Sequence, residues 1–206
     1  PHAAFWDEWN GRAVAADGPL WIALGDSSTQ GIGADDPAEG WVPQMVERLR
    51  GYTGKPWRVI NLSVTGAQLS DVLHVQLPRI EQLRRNGHEP TLVTHLAGAN
   101  DLMAPGTWLR TKATLRSVLH ALPDRAVVAR VGVSTPFNGM MARALTRIIE
   151  EHAAVRPFHL FWPWAWPSRD GLAEDRWHPG PTGYRYMVDL IWDPICESLE
   201  LNPTPS

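Results

Sequence analysis

The chain has 206 residues, of which 44% are hydrophobic and 20% are charged, and its formal net charge is -3. This length and balance predict one soluble globular domain over residues 1–206. The small negative charge and the lack of a long basic run argue against nucleic acid and anionic membranes as partners, and no apolar stretch approaches the length of a transmembrane segment.

The predicted strands and helices alternate along the chain, which indicates a parallel sheet with helices on both faces and right-handed crossovers. The fold class is therefore α/β. Short apolar runs predict five strands, at residues 20–25, 58–64, 91–97, 126–131 and 157–161. Apolar residues at helical spacing predict helices at residues 42–49, 69–80, 108–122, 141–149 and 181–199.

Local residues refine these helices and the two ends of the chain. Gly51 is placed to end the helix predicted at residues 42–49. Pro78 is expected to kink or break the helix predicted at residues 69–80. Residues 1–18 form an extension in which Phe5, Trp6 and Trp9 share one apolar helix face. That face either docks against the sheet or serves as a lid or membrane contact. Residues 202–206 are expected to be a frayed tail.

Cysteine and histidine usage predicts that the chain needs no metal or cofactor. Cys196 is the single cysteine, which excludes an internal disulfide and a cysteine-based zinc site and favours a cytoplasmic location. The eight histidines show no metal-ligand spacing, and His95 is expected to pack in the core. Gly31 and Gly33 match neither a dinucleotide fingerprint nor a phosphate-binding loop, so we interpret them as a flexible rim.

Candidate site residues follow four of the predicted strands at the point where each strand ends. Ser27 follows the first strand, Gly66 the second and Asn100 the third, whereas Asp175 and His178 follow the fifth. Because the carboxyl ends of parallel strands meet at one edge of a sheet, these residues should converge on one crevice.

The residue types at this edge are those of a serine hydrolase. A serine hydroxyl becomes a nucleophile when a base takes its proton, and the imidazole of His178 suits that role near neutral pH. Asp175 lies three residues earlier, so a single turn can bring its carboxylate to the second ring nitrogen. The Ser27 and Gly66 amides and the Asn100 side chain can then point at the oxyanion of a tetrahedral intermediate.

These motifs, in this order, closely resemble those of the SGNH (GDSL) hydrolase family. The matching blocks are residues 25–27, 61–66, 98–101 and 175–179, and Ser28 stands where the family usually has leucine. The resemblance covers about residues 20–192 and implies a three-layer α/β/α sandwich of flavodoxin-like type. It also implies a GDSL-type esterase or lipase with the catalytic triad Ser27, His178 and Asp175 and the oxyanion hole Ser27, Gly66 and Asn100.

The substrate is expected to be a small-molecule ester, and tryptophans are the candidates for its pocket. The chain has 11 tryptophans, and several follow the third and fifth strands: Trp108, Trp162, Trp164, Trp166 and Trp177. These rings either line the pocket or pin the catalytic loop. An acyl or lipid-like ester or thioester is favoured. The alternatives are a carbohydrate O-acetyl ester, acyl transfer to an alcohol, and a non-catalytic binding module, which would have no need of all four polar residues.

Overall fold

One parallel β-sheet forms the centre of the protein. The computed structural model describes residues 2–103, 108–132, 139–163 and 169–202. Within them, five parallel strands pair in the order β2-β1-β3-β4-β5. The strands are β1 (Leu20–Gly25), β2 (Arg58–Asn61), β3 (Pro90–Leu96), β4 (Val127–Ala129) and β5 (His159–Phe161). The predicted α/β architecture is therefore confirmed.

Helices cover both faces of this sheet because the strands are apolar on both sides. All six residues of β1 are buried, and its apolar side chains alternate between two clusters, with Trp21 in one and Ile22 in the other. The Trp21 cluster is covered by α3 (Trp41–Thr53) and α8 (Pro181–Leu199), and the Ile22 cluster by α5 (Leu77–Arg85), α6 (Trp108–Ala121) and α7 (Gly139–Ala153). The result is the expected three-layer sandwich.

The order of the strands places a topological switch point, here called the crevice, at the carboxyl ends of β1 and β3. β2 lies on one side of β1, and β3 lies on the other. The connections that leave β1 and β3 therefore diverge, which is the arrangement in which open α/β sheets bind ligands. The short helix α2 (Ser27–Gln30) begins one residue after Asp26, and Asn100 begins a turn of 3₁₀-helix after β3. Both segments lie at this crevice.

The end of α3 differs from the prediction. Gly51 lies inside α3, which continues to Thr53, and Gly54 ends it with φ 65° and an amide that donates to Arg50 O at 2.9 Å. The last turn is held because Trp57 Nε1 donates to Thr53 Oγ1 at 3.0 Å. Only a residue with positive φ can form this kind of helix end. The packing of Trp57 places the helix end at Gly54. The prediction of Gly51 as the helix end was wrong.

The predicted break near Pro78 is confirmed. A short helix, α4 (Leu69–Asp71), leads into a π-helical turn at Val72–Gln76, and α5 begins at Leu77 with Pro78 in its first turn. Proline has no amide hydrogen and its ring displaces the carbonyl of the preceding turn. A π turn before Pro78 accommodates both effects while the chain continues in helical conformation.

The first helix, α1 (His2–Ala15), docks at the β2 edge of the sheet. Trp6 is buried within the Trp21 cluster, and Phe5 and Trp9 pack against that cluster. Docking is therefore confirmed for the aromatic face of residues 1–18. No helix within the described ranges is both long enough and apolar enough to cross a membrane.

His95 lies in the core, as expected. It is fully buried in β3, and burial lowers its pKa to about 4, so the ring is neutral at physiological pH. Within the described residues, neither ring nitrogen has a hydrogen-bond partner. His95 therefore behaves as a packing residue.

Candidate active site

Ser27 is the first residue of α2, at the carboxyl end of β1. Asp26 forms the N-cap of this helix, with its Oδ1 accepting a hydrogen bond from the Ser28 amide at 3.1 Å. This cap turns the chain so that the Ser27 hydroxyl enters the crevice. Ser27 Oγ lies 2.9 Å from His178 Nε2, across 151 residues of sequence.

His178 and Asp175 lie in one tight loop between β5 and α8. Asp175 Oδ2 lies 2.6 Å from His178 Nδ1, while its Oδ1 accepts hydrogen bonds from the Trp177 and His178 amides, each at 2.9 Å. One carboxylate therefore holds both the backbone turn and the imidazole ring. Arg176 has φ 54°, which completes the sharp turn.

Hydrogen bonds keep the Asp175 carboxylate ionised. Partial burial acts to raise its pKa, but the hydrogen bonds from the His178 ring and from the two amides outweigh that effect. The pKa of Asp175 therefore lies below its ordinary value. A carboxylate that stays charged fixes the proton on Nδ1 and leaves Nε2 of His178 free to accept a proton from Ser27.

Gly33 and Tyr184 fix this loop against the turn that carries Ser27. Gly33 has φ 104°, and a Cβ on it would lie 2.3 Å from Pro179 O and 2.8 Å from His178 Cβ. Tyr184, in the first turn of α8, donates its hydroxyl proton to Ile32 O at 2.6 Å. Gly33 is therefore a packing position that only glycine allows, rather than the flexible rim expected from the sequence.

The three expected oxyanion donors lie in segments around Ser27. The Ser27 amide is at the start of α2, where an amide has no intrahelical acceptor. Gly66 has φ 78°, and no described residue accepts a hydrogen bond from its amide. Asn100 Nδ2 donates to Ala67 O at 2.9 Å, which uses one of its two N–H bonds and leaves the other for a ligand.

Two carboxyl groups are buried beneath the crevice. Burial raises the pKa of Asp26 to about 7, although the hydrogen bond from the Ser28 amide opposes the rise and Asp101 adds to it. Burial also raises the pKa of Asp101 to about 6, and the Leu69 amide, which donates to its Oδ2 at 3.0 Å, opposes that rise. Both carboxyl groups accept hydrogen bonds from backbone amides at positions that water does not reach freely.

The candidate pocket tryptophans have different environments. Trp108 begins α6 and is 38% exposed, and Trp177 is partly buried in the loop between Asp175 and His178. Trp162 is 45% exposed after β5, with the Arg130 guanidinium 5.3 Å from its ring centroid. Trp164 and Trp166 lie outside the described residues. Pocket lining therefore stays a prediction for all five.

Sequence reasoning missed the amide side chains that support this site. The Gln30 side chain accepts a hydrogen bond from the Thr65 amide at 3.1 Å and donates to Ser63 O at 3.0 Å. Asn61 Nδ2 donates to Thr29 O at 2.9 Å. The only signal in the sequence was that both amides sit at predicted strand or turn ends, beside the motifs that carry Ser27 and Gly66.

Several solved structures share the fold of this chain. A search of curated proteins found no significant sequence match. Among solved structures, TesA has 19% identity and a TM-score of 0.73, covering 87% of this chain and 99% of its own. The esterase EstA from Pseudoalteromonas sp. has 19% identity and a TM-score of 0.70, covering 88% and 98%. The acetylxylan esterase Axe2 from Geobacillus stearothermophilus has 18% identity and a TM-score of 0.64, covering 93% and 98%.

These structures establish a shared fold, and the family model identifies the chain itself. The model of the GDSL-like lipase/acylhydrolase family matches residues 23–186, which include Ser27, Gly66, Asn100, Asp175 and His178. The match spans most of the chain, from the second half of β1 through β5 and into α8. The chain therefore belongs to the GDSL-like lipase/acylhydrolase family and is a carboxylic ester hydrolase.

Proposed function

We propose that the chain hydrolyses an acyl or lipid-like ester or thioester through a Ser27–His178–Asp175 triad and an acyl-enzyme. The observation that carries this proposal is the continuous hydrogen-bonded array, with 2.9 Å from Ser27 Oγ to His178 Nε2 and 2.6 Å from His178 Nδ1 to Asp175 Oδ2. Nucleophile, base and orienting carboxylate are thus within hydrogen-bond reach of one another, as this chemistry requires.

The first half of the reaction transfers the acyl group to the enzyme. Ser27 Oγ forms a bond to the carbonyl carbon while its proton passes to His178 Nε2. The negative charge that develops on the carbonyl oxygen is stabilised by the Ser27 and Gly66 amides and by the second N–H of Asn100. The bond from carbon to the alcohol oxygen then breaks, and the alcohol leaves with the proton from His178.

The second half returns the enzyme to its starting state. Water gives a proton to His178 Nε2 as its oxygen bonds to the acyl carbon, and a second oxyanion forms in the same place. The bond to Ser27 Oγ then breaks, and His178 returns its proton to Ser27. Asp175 stays ionised throughout and stabilises the imidazolium in both halves. The proposed cycle requires no cofactor.

The surface around the crevice supports an acyl or lipid-like substrate. Large apolar side chains are exposed in the segments that follow the carboxyl ends of β2 to β5: Val64, Met103, Trp108, Leu109, Met140 and Trp162. Exposed apolar side chains at the edge that carries Ser27 favour contact with an apolar acyl chain. The buried, unpaired Cys196 fits the cytoplasmic location that we propose with this function.

Hydrolysis of p-nitrophenyl esters from acetyl to long acyl tests the proposal. Ser27→Ala should lose at least about 1,000-fold in kcat with the fold intact, because the variant lacks the hydroxyl that forms the acyl-enzyme in the proposed cycle. Ser28→Ala is the matched control, since it removes the neighbouring buried hydroxyl and should keep activity within a few-fold. Retained turnover in Ser27→Ala would refute the triad.

The same panel separates the substrate classes. A preference for long acyl chains supports the proposed substrate, whereas activity confined to acetyl esters would favour a carbohydrate O-acetyl ester. Products trapped by an added alcohol would favour acyl transfer. A folded wild type that turns over no ester would refute hydrolysis of these substrates and favour the binding module.

A further inference from the structure

The first helix contacts the turn that carries Ser27, although α1 lies outside the residues that the family model matches. Trp6 is 3% exposed, and its Nε1 donates to Gln30 O at 2.9 Å. One turn earlier in α1, His2 Nε2 lies 3.1 Å from Gly31 O. These two carbonyls are at the end of α2, so α1 holds the far end of the helix that begins with Ser27.

A second contact from α1 closes the exposed edge of the sheet. β2 is an edge strand, so the outward amide and carbonyl of Asn61 have no neighbouring strand to pair with. Asn10 takes the place of that strand: its Oδ1 accepts from Asn61 N and its Nδ2 donates to Asn61 O, each at 2.8 Å. A carboxamide can make both bonds because it carries a donor and an acceptor on one plane.

The side chains of Asn61 and Gln30 carry these contacts to the Gly66 loop. Asn61 Oδ1 accepts hydrogen bonds from the amide and hydroxyl of Ser63, and its Nδ2 donates to Thr29 O. Gln30 bonds Ser63 O and both the amide and hydroxyl of Thr65. The loop is therefore bonded to α2 through Asn61, Ser63 and Thr65, and Thr65 is the residue before Gly66.

The same chain of contacts reaches Asn100. Ala67 directly follows Gly66, and its carbonyl accepts the hydrogen bond from Asn100 Nδ2. A shift of the loop would thus displace the Gly66 amide and the Asn100 side chain together, relative to the Ser27 amide. The spacing of all three donors depends on how the Gly66 loop sits against α2.

We propose that α1 is a positioning element for the oxyanion site, in which Trp6 and Asn10 act through Gln30 and Asn61. This inference rests on the proposed function, because it assigns a role within the same reaction. Neither residue touches the substrate. They hold the two donor-bearing segments at the separation that the tetrahedral intermediate requires, and displacement by about 1 Å can cost on the order of 100-fold in rate.

The test compares Trp6→Phe with Trp57→Phe. Both tryptophans are 3% exposed in the same apolar cluster, and each indole donates one hydrogen bond, Trp6 Nε1 to Gln30 O and Trp57 Nε1 to Thr53 Oγ1 at 3.0 Å. Trp57 precedes β2 at the opposite end of the sheet from Ser27. The two variants should therefore lose similar stability, by Tm, while only one of them affects the site.

The kinetic result that supports the proposal is a kcat lower by about 10- to 100-fold in Trp6→Phe, with KM within about 2-fold of wild type and Trp57→Phe near wild type. A trifluoromethyl ketone, which forms a tetrahedral oxyanion on Ser27, should bind more weakly to Trp6→Phe by the same factor. Asn10→Ala should reproduce this pattern. Equal kinetics for Trp6→Phe and Trp57→Phe would overturn the proposal.

Hydrogen–deuterium exchange of residues 63–67 provides a readout that needs no ester turnover. Exchange in this segment should be faster in Trp6→Phe and Asn10→Ala than in wild type and Trp57→Phe, because the Gln30 and Asn61 contacts loosen. Unchanged exchange would overturn the positioning role. If wild type hydrolyses no ester while the exchange result is positive, the proposed function fails and the mechanical link from α1 to the Gly66 loop stands.

Discussion

Replacing Asp26 by asparagine should raise the stability of the protein relative to wild type, and this gain should be larger at alkaline pH than at acidic pH. The Asp26 side chain is 3% exposed, and burial raises its pKa from 3.8 to about 7. Asparagine is as good an N-cap as aspartate and can keep the hydrogen bond from the Ser28 amide. It differs in having no charge to bury, so the substitution isolates the free energy of ionising this carboxyl in the folded state.

The magnitude follows from the shift in pKa. Because the folded pKa is raised, folding favours the protonated acid, and the stability this provides is lost as pH rises from about 4 through about 7. A rise in the pKa from 3.8 to about 7 means that ionised Asp26 destabilises the folded state by about 4 kcal/mol at pH 8. At about pH 4.5 the same linkage destabilises the folded state by only about 1 kcal/mol. The stability that Asp26→Asn gains over wild type should therefore be about 3 kcal/mol larger at pH 8 than at pH 4.5.

Urea unfolding of wild type and Asp26→Asn at these two pH values measures this difference. Any loss from burying the asparagine amide is present at both pH values, so it cancels in the comparison. Asp36→Asn is the matched control, because Asp36 caps an exposed turn through the same kind of bond, from the Ala38 amide at 2.9 Å. Its effect should stay below about 1 kcal/mol at both pH values.

The result that would refute this reasoning is a difference between Asp26→Asn and wild type that is the same at both pH values. Such a result would mean that water or a rearrangement solvates the ionised carboxylate within the fold. Nuclear magnetic resonance titration of the Asp26 carboxyl would then find a pKa near its ordinary value.

Two further substitutions test the loop that carries His178. Asp175→Asn should lower kcat by about 100- to 10,000-fold with little change in Tm, because the amide no longer fixes the imidazole tautomer or stabilises the imidazolium; steady-state kinetics that match wild type would contradict this role. Gly33→Ala should lower kcat at least about 10-fold, because its Cβ would displace the Pro179 carbonyl and the Cβ of His178. Gly87→Ala is the control, since Gly87 has φ 85° with open space around it, so a Tm loss without a kcat loss is expected there.

Local sequence patterns predicted most of the secondary structure because hydrophobic periodicity and caps act within a few residues. β1 matches residues 20–25, α8 matches residues 181–199, and Pro78 interrupts its helix as expected. The error at Gly51 shows the limit of such patterns. Both Gly51 and Gly54 suit a helix end, and the choice depends on Trp57, whose burial in the Trp21 cluster is a tertiary packing event.

The sequence by itself determined which chemical groups the site contains, since the order of strands sends Ser27, Gly66, Asn100 and His178 to one edge of a parallel sheet. It also determined the Asp175–His178 contact, because three residues form a single turn. Only the tertiary structure decided that the His178 loop packs against Gly33 and that the Asn10 side chain bonds the outward backbone groups of β2. These contacts join residues far apart in sequence, and their geometry depends on the packing of whole elements, which no local pattern encodes.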